Sequence, residues 1–230
     1  MKNRVLVISG PSGAGKHELR RALCKHPMFA PVISTTTRTP RKGEQDGVDY
    51  HFVAHNEMRK LTDGQDLMLG MTTHGAGVYG VNRLDFGSAF NHDKIGVVIA
   101  TPDGQAAIEH DLAGHDIPVL SVFLDCALLL RAERMLARFV SELYDLRGTH
   151  RGEALRANFA RRLAVSGEEE AAWKAKSAER FDCYIKQITP DCEKAVVDAL
   201  VGNVLTEFLQ IETVHPLMQR EHAGPKTLVG

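Results

Sequence analysis

The stretch Val5-Leu6-Val7-Ile8-Ser9-Gly10-Pro11-Ser12-Gly13-Ala14-Gly15-Lys16-His17 decides the fold. Val5 to Ser9 is a short apolar run rich in β-branched residues, which reads as a buried strand. After the Gly/Pro-rich segment, Leu19 and Leu23 recur at helical spacing with basic residues between them, so the order is strand, loop, helix. Gly10, Gly15 and Lys16 satisfy the glycine and lysine part of the phosphate-loop pattern, in the strand-to-helix context that the pattern requires. The chemistry follows from the residue types. Glycines let successive backbone N–H groups converge on phosphate oxygens, the helix N-terminus adds partial positive charge, and Lys16 supplies a mobile ammonium. Residues Gly10, Pro11, Ser12, Gly13, Ala14, Gly15, Lys16 and His17 are therefore the candidate triphosphate site. One element departs from the pattern: the position after the lysine asks for a Ser or Thr hydroxyl, which holds Mg²⁺, and His17 stands there. Mg²⁺ prefers hard oxygen ligands, so phosphate binding is expected to survive this change better than metal-assisted chemistry.

Working outward, further short apolar runs occur at Pro31 to Ser34, Ile95 to Ala100, Val119 to Leu124 and Cys183 to Ile188, separated by helix-like stretches or polar loops. That alternation predicts an α/β fold, a parallel core sheet covered by helices. Residues 35–90 interrupt it with Pro40, Gly43, Gly47 and the Gly75-Ala76-Gly77 turn, and read as an inserted, partly β lobe. Ala132, Met135 and Phe139 share one helical face, Leu155, Phe159 and Leu163 another, with a basic connection between them. The periodicity from Val196 to Phe208 predicts the last core helix. The organisation expected is one domain over 1–209, with its core at 1–34 and 91–209, the lobe at 35–90 and a helical lid at about 138–162. An irregular tail, favoured by Pro216 and Pro225, is expected over 210–230.

Composition narrows the function classes. Hydrophobic residues make up 43% and charged residues 25%, as in ordinary globular proteins. With 28 basic against 29 acidic residues there is no general drive toward nucleic acid or an anionic membrane, so anion binding has to be local. The N-terminal apolar run is too short for a signal-peptide core or a membrane span, and a cytoplasmic location is expected. Cys24, Cys126, Cys183 and Cys192 have no CxxC spacing, and none of the eleven histidines has metal-ligand or catalytic spacing. No protein metal site is expected.

After the second predicted strand stands Ser34-Thr35-Thr36-Thr37-Arg38-Thr39-Pro40-Arg41-Lys42-Gly43-Glu44, then Asp46-Gly47-Val48-Asp49-Tyr50-His51-Phe52-Val53. Arg38 and Arg41 can present planar donor forks to a monophosphate, and Ser34 and Tyr50 can add hydroxyl donors to the same oxygens. Together with the phosphate loop, this segment resembles the TTRxPRxGE and DGxxYxF-like elements of the guanylate kinase family, densely over residues 5–53 and thinly up to about Leu209. The resemblance implies a P-loop three-layer fold with an inserted acceptor-binding lobe and a helical lid. It also implies that Ser34, Arg38, Arg41 and Tyr50 hold the acceptor phosphate, that Tyr79 in Val78-Tyr79-Gly80 closes the same pocket, and that Thr101 lies at the acceptor end. Arg134 and Arg138, four residues apart and so on one helical face, resemble the family's RxxxR element, and Arg162 resembles its later arginine; these and Lys16 are the catalytic candidates.

Two family features are missing. Gly70 stands where an acidic residue follows Met68-Leu69, and Ala100-Thr101-Pro102 stand where aspartates follow the strand Val97-Val98-Ile99. In the family those carboxylates recognise the guanine edge and help order the metal. The activity implied is an ATP- and Mg²⁺-dependent nucleoside monophosphate kinase acting on GMP or dGMP. Two alternatives stay open: a ribose 1,5-bisphosphate kinase-like enzyme, and a guanylate-kinase-like binding module whose catalysis is impaired by His17, Gly70 and Thr101. Because Arg38, Arg41 and Tyr50 are expected in a separate lobe, changes at His17 are expected to leave acceptor affinity unchanged.

Overall fold

The computed structural model describes residues 3–63, 68–74, 77–145, 149–150, 152–157, 159–160, 171, 173, 181–185, 193–209, 218–219 and 226–228. The two-residue period of the first strand, β1 (Arg4–Ser9), explains its layering. Leu6 and Ile8 pack on one side with Leu19, Leu23, Val196 and Leu200, whereas Val5 and Val7 pack on the other with Phe86, Ile108 and Leu112. A strand buried on both faces needs a helical layer on each. One layer is α1 (Lys16–Leu23) with α6 (Glu193–Leu209); the other is α3 (Arg83–Phe90) with α4 (Pro102–Ala113). Two further helices, α2 (His55–Asp63) and α5 (Leu128–Asp145), complete those named here.

β1 lies between β7 (Ile95–Ile99) and β8 (Val119–Leu124), parallel to both, with Leu6 opposite Val97 and Leu120. β2 (Phe29–Pro31) forms one edge against β7, and β9 (Cys183–Ile185) pairs parallel with β8. The second strand thus comes earlier than the run Pro31 to Ser34 suggests. Phe29 is the buried anchor, and Pro31, lacking an N–H, is tolerated because β2 is an edge strand. Within 210–230, the stretch expected to be irregular, β11 (Lys226–Leu228) pairs parallel with β9 and β10 (Met218–Gln219) pairs antiparallel with β11.

The inserted segment builds a second sheet from β3 (Thr35–Thr36), β4 (His51–Phe52), β5 (Met68–His74) and β6 (Gly77–Asn82), in the order β4-β3-β6-β5. It stops short of residue 90. Asn82 caps α3 by accepting from Leu84 N at 2.9 Å, and the helix then returns Phe86 and Ala89 to the core. Arg138 falls inside the continuous helix α5, and Phe139 stacks on Phe159 with ring centroids 4.3 Å apart. Arg162 lies outside the described residues. Among the described residues, no helix is long and apolar enough to cross a membrane.

Candidate active site

Gly10 ends β1 with φ +147°, and a Cβ there would collide with Leu124 O of the neighbouring strand. Only glycine lets the chain turn so close to β8. Gly10, Ser12, Gly13, Gly15, Lys16 and His17 line the cavity above the sheet, while Pro11 and Ala14 are buried away from it. Lys16 Nζ donates to Gly10 O at 2.6 Å and Pro11 O at 2.9 Å, so its ammonium is folded back over its own loop. Two arginines of α5 hold the loop from behind: Arg131, fully buried, donates to Cys126 O at 2.9 Å and Ser12 O at 3.3 Å, and Arg134 donates to Gly13 O at 3.1 Å. Arg134 and Arg138 both reach the cavity.

The opposite wall comes from the inserted sheet and the loop before β4. Arg38 grips Glu44 with its two terminal guanidinium nitrogens, Nη1 and Nη2, at 2.6 and 2.7 Å, and Glu44 also accepts from Arg41 N at 2.7 Å. Burial is the largest influence and works against both charges, but the mutual hydrogen bonds and the opposite charges nearby together outweigh it, raising the pKa of Arg38 and lowering that of Glu44. Arg38 also lies over the Tyr50 ring at 4.8 Å and the Phe52 ring at 5.4 Å, and Tyr50 packs edge-on against Tyr79 at 6.1 Å. Burial raises the Tyr50 hydroxyl's pKa, so it stays a neutral donor. Ser34 Oγ, turned toward Ile99 O at 3.4 Å, also lines the cavity.

The walls are joined at α1. Tyr50 OH lies 3.4 Å from His17 Nε2, and the rings are 5.5 Å apart. One turn later Arg20 donates to Val48 O at 3.1 Å and Arg21 to Asp49 Oδ1 at 3.3 Å. Desolvation, reinforced by Arg20 and Lys16, pushes the His17 pKa down to about 3, so the ring is neutral near pH 7. The expectation that His17 is independent of the acceptor residues is corrected here: both belong to one contact network. Sequence reasoning also missed Arg131, Glu44, Asp49 and Trp173; of these, Glu44, Asp49 and Trp173 line the cavity, and only the motif position of Glu44 offered a signal.

At the far end, Gly70 takes φ +60° at an irregularity between Leu69 and Thr72, and its N–H donates to Asp111 Oδ2 at 3.0 Å. Thr101 caps α4 by accepting from Gly104 N at 3.1 Å, and also lines the cavity. The cavity measures about 610 Å³, the size of a small-ligand site.

A parallel sheet whose first strand passes through a glycine loop into a helix, with that loop facing a second basic cluster across one cavity, defines a P-loop phosphotransferase. The guanylate kinase family profile matches residues 2–142, and the chain belongs to that family. It is 33% identical over 215 residues to a guanylate kinase of Nitratidesulfovibrio vulgaris, covering 90% of this chain and 89% of the relative. It is also similar to guanylate kinases of Bordetella pertussis, 31% identical with coverage of 90% and 81%, and of Chlamydia felis, 30% identical with coverage of 84% and 83%. The fold is similar to that of the guanylate kinase from Anaplasma phagocytophilum, with a TM-score of 0.55 at 20% identity over 93% of this chain and 89% of that one.

Proposed function

We propose that the chain transfers the γ-phosphoryl group of ATP to a nucleoside monophosphate, with GMP or dGMP as the acceptor that family membership favours. The carrying observation is the single cavity that Lys16 and the loop share with Ser34, Arg38, Arg41, Tyr50 and Tyr79. The loop amides and Lys16 hold the donor phosphates once Lys16 releases the Gly10 and Pro11 carbonyls. Glu44 holds the Arg38 fork in place, so less orientational freedom is lost when it meets the acceptor phosphate. Arg134 and Arg138, which reach the cavity from α5, are placed to offset charge on the phosphoryl group in transit, a role that requires no covalent intermediate. Such an activity suits the cytoplasm.

Mg²⁺ would enter as part of the MgATP substrate and would offset charge on its phosphates. Position 17 does not fit a direct side-chain ligand: it offers a neutral imidazole engaged with Tyr50 rather than an oxygen. A coupled ADP-release assay over a panel of nucleoside monophosphates at high Mg²⁺ tests the reading, and absence of turnover with every member overturns it. Ribose 1,5-bisphosphate in the same panel separates the alternative acceptor class. A binding module would bind monophosphate without Mg²⁺-dependent binding of ATP.

A further inference from the structure

The end of the cavity beyond the acceptor phosphate residues has its own chemistry. It is walled by Gly70, Thr72, Val81, Ile99, Thr101 and Ile108. This wall is continuous with the phosphate side, because Thr72 pairs with Tyr79 across the second sheet and Ser34 Oγ is turned to Ile99 O. The carboxylates among the described lining residues are elsewhere: Glu18 opens α1, Glu44 is held by Arg38 and Arg41, and Asp49 by Arg21 and the Gln45 N–H. The wall therefore offers apolar surface and two hydroxyls, one of them already accepting a helix-cap bond.

Nor can a carboxylate be regained at Gly70 by substitution alone. A Cβ there would run into Ile108 Cγ1, lie 3.0 Å from Ile108 Cδ1 and 3.1 Å from Gly104 O, on a backbone with φ +60° that is tied to α4 through Asp111. Ile108 is itself in the core and cannot withdraw freely. The gap in the recognition surface is therefore built into the packing of β5 on α4.

From this geometry we infer that the site holds purine nucleoside monophosphates through phosphate contacts and apolar enclosure of the base, and does not select guanine among them. Guanine presents two adjacent donors, N1–H and N2–H₂, whose desolvation needs a strong acceptor. Among the described residues, this wall has none to offset it. Sites that hydrogen-bond a distinguishing group reject analogues lacking it by several orders of magnitude, whereas apolar pockets discriminate weakly.

The inference rests on the acceptor assignment proposed above, and its test separates the two. GMP, IMP and AMP are compared by kcat/KM in the ADP-release assay and by equilibrium Kd from calorimetry on the intact chain. Values within about thirtyfold of each other are expected. A larger preference for GMP over IMP or AMP, in either measurement, overturns the inference while leaving the kinase reading intact. Failure of all three to turn over overturns the kinase reading, and the Kd values then decide the selectivity: comparable binding supports it, and no binding by any of the three overturns it. Thr101→Asp keeps a competent helix cap and adds a carboxylate to the wall. It is expected to raise the GMP-to-AMP ratio about tenfold, and an unchanged ratio in a folded variant counts against the inference.

Discussion

Replacing His17 with Ser is the perturbation that best separates the donor and acceptor halves of the site. The new hydroxyl gives the residue after Lys16 an oxygen that MgATP can use, a gain of about 1–3 kcal/mol by analogy with a charge-assisted hydrogen bond, or roughly fivefold to 150-fold in kcat. The same change removes the ring facing Tyr50, whose hydroxyl lies 3.4 Å from Nε2, and the ring edge 3.8 Å from Asp49 Oδ1. The first is a long, neutral contact at the weak end of the usual range, about 0.5–1 kcal/mol, and the second is too long for a hydrogen bond. The monophosphate KM should therefore rise about two- to fivefold. Arg20 and Arg21 keep the loop around Val48 and Asp49 docked to α1, so the second wall should stay in place. Steady-state kinetics of both proteins, titrating Mg²⁺ at saturating monophosphate and then monophosphate at saturating MgATP, give the two effects separately. An unchanged acceptor KM would show that the His17 to Tyr50 contact does not position the acceptor. A fall in kcat would refute the view that the imidazole occupies a position better served by oxygen.

Other outcomes follow from the same contacts. His17 titrates near pH 3 in the folded chain against an ordinary value of 6.5, so between these pH values the unfolded chain binds a proton that the folded one does not. Stability should fall as the pH is lowered, by about 2 kcal/mol at pH 5, and His17→Asn should remove most of that loss in urea unfolding at pH 7 and 5. Glu44, with its pKa lowered by Arg38 and the Arg41 N–H despite burial, adds a further loss below the ordinary carboxylate value, visible as a smaller acid loss in Glu44→Gln. Arg38→Lys keeps the charge but not the fork held by Glu44 or the stacking on Tyr50, and should raise the monophosphate KM about tenfold or more with little change in the KM for ATP. Arg131→Met leaves the carbonyls of Cys126 and Ser12 without this donor; a loss of about 1–3 kcal/mol in chemical denaturation is expected.

Local pattern made much of this molecule legible. The phosphate loop, the core strands from Val5, Ile95, Val119 and Cys183, and the Arg38 to Tyr50 segment are each encoded by a few neighbouring residues, and the structure brings the last into the same cavity as the first. Elsewhere long-range contacts decide the structure. Residues 83–90 looked like the end of an insertion, but Phe86 and Ala89 are claimed by the core beside Val5 and Val7. Arg131 has the same appearance in sequence as the other basic residues of α5, and only the proximity of Ser12, 119 positions away, makes it a support of the loop.

The two departures from the family pattern show the same division between local and tertiary information. That His17 lacks a hydroxyl and Gly70 lacks a carboxylate is plain from the sequence, and treating each as a simple loss is the natural inference. In the folded chain neither position is vacant. His17 is held among Tyr50, Asp49 and Lys16, and the space beside Gly70 is taken by Ile108 and closed by Asp111. Replacements at these positions have to displace existing partners, so restoring the family residue does not simply restore the family contact. The asymmetry is physical: a serine fits within the volume of the imidazole it replaces, whereas any side chain at Gly70 must move buried Ile108 and adopt a strained φ. The donor side is therefore open to repair by one substitution, and the acceptor end is closed to it at Gly70.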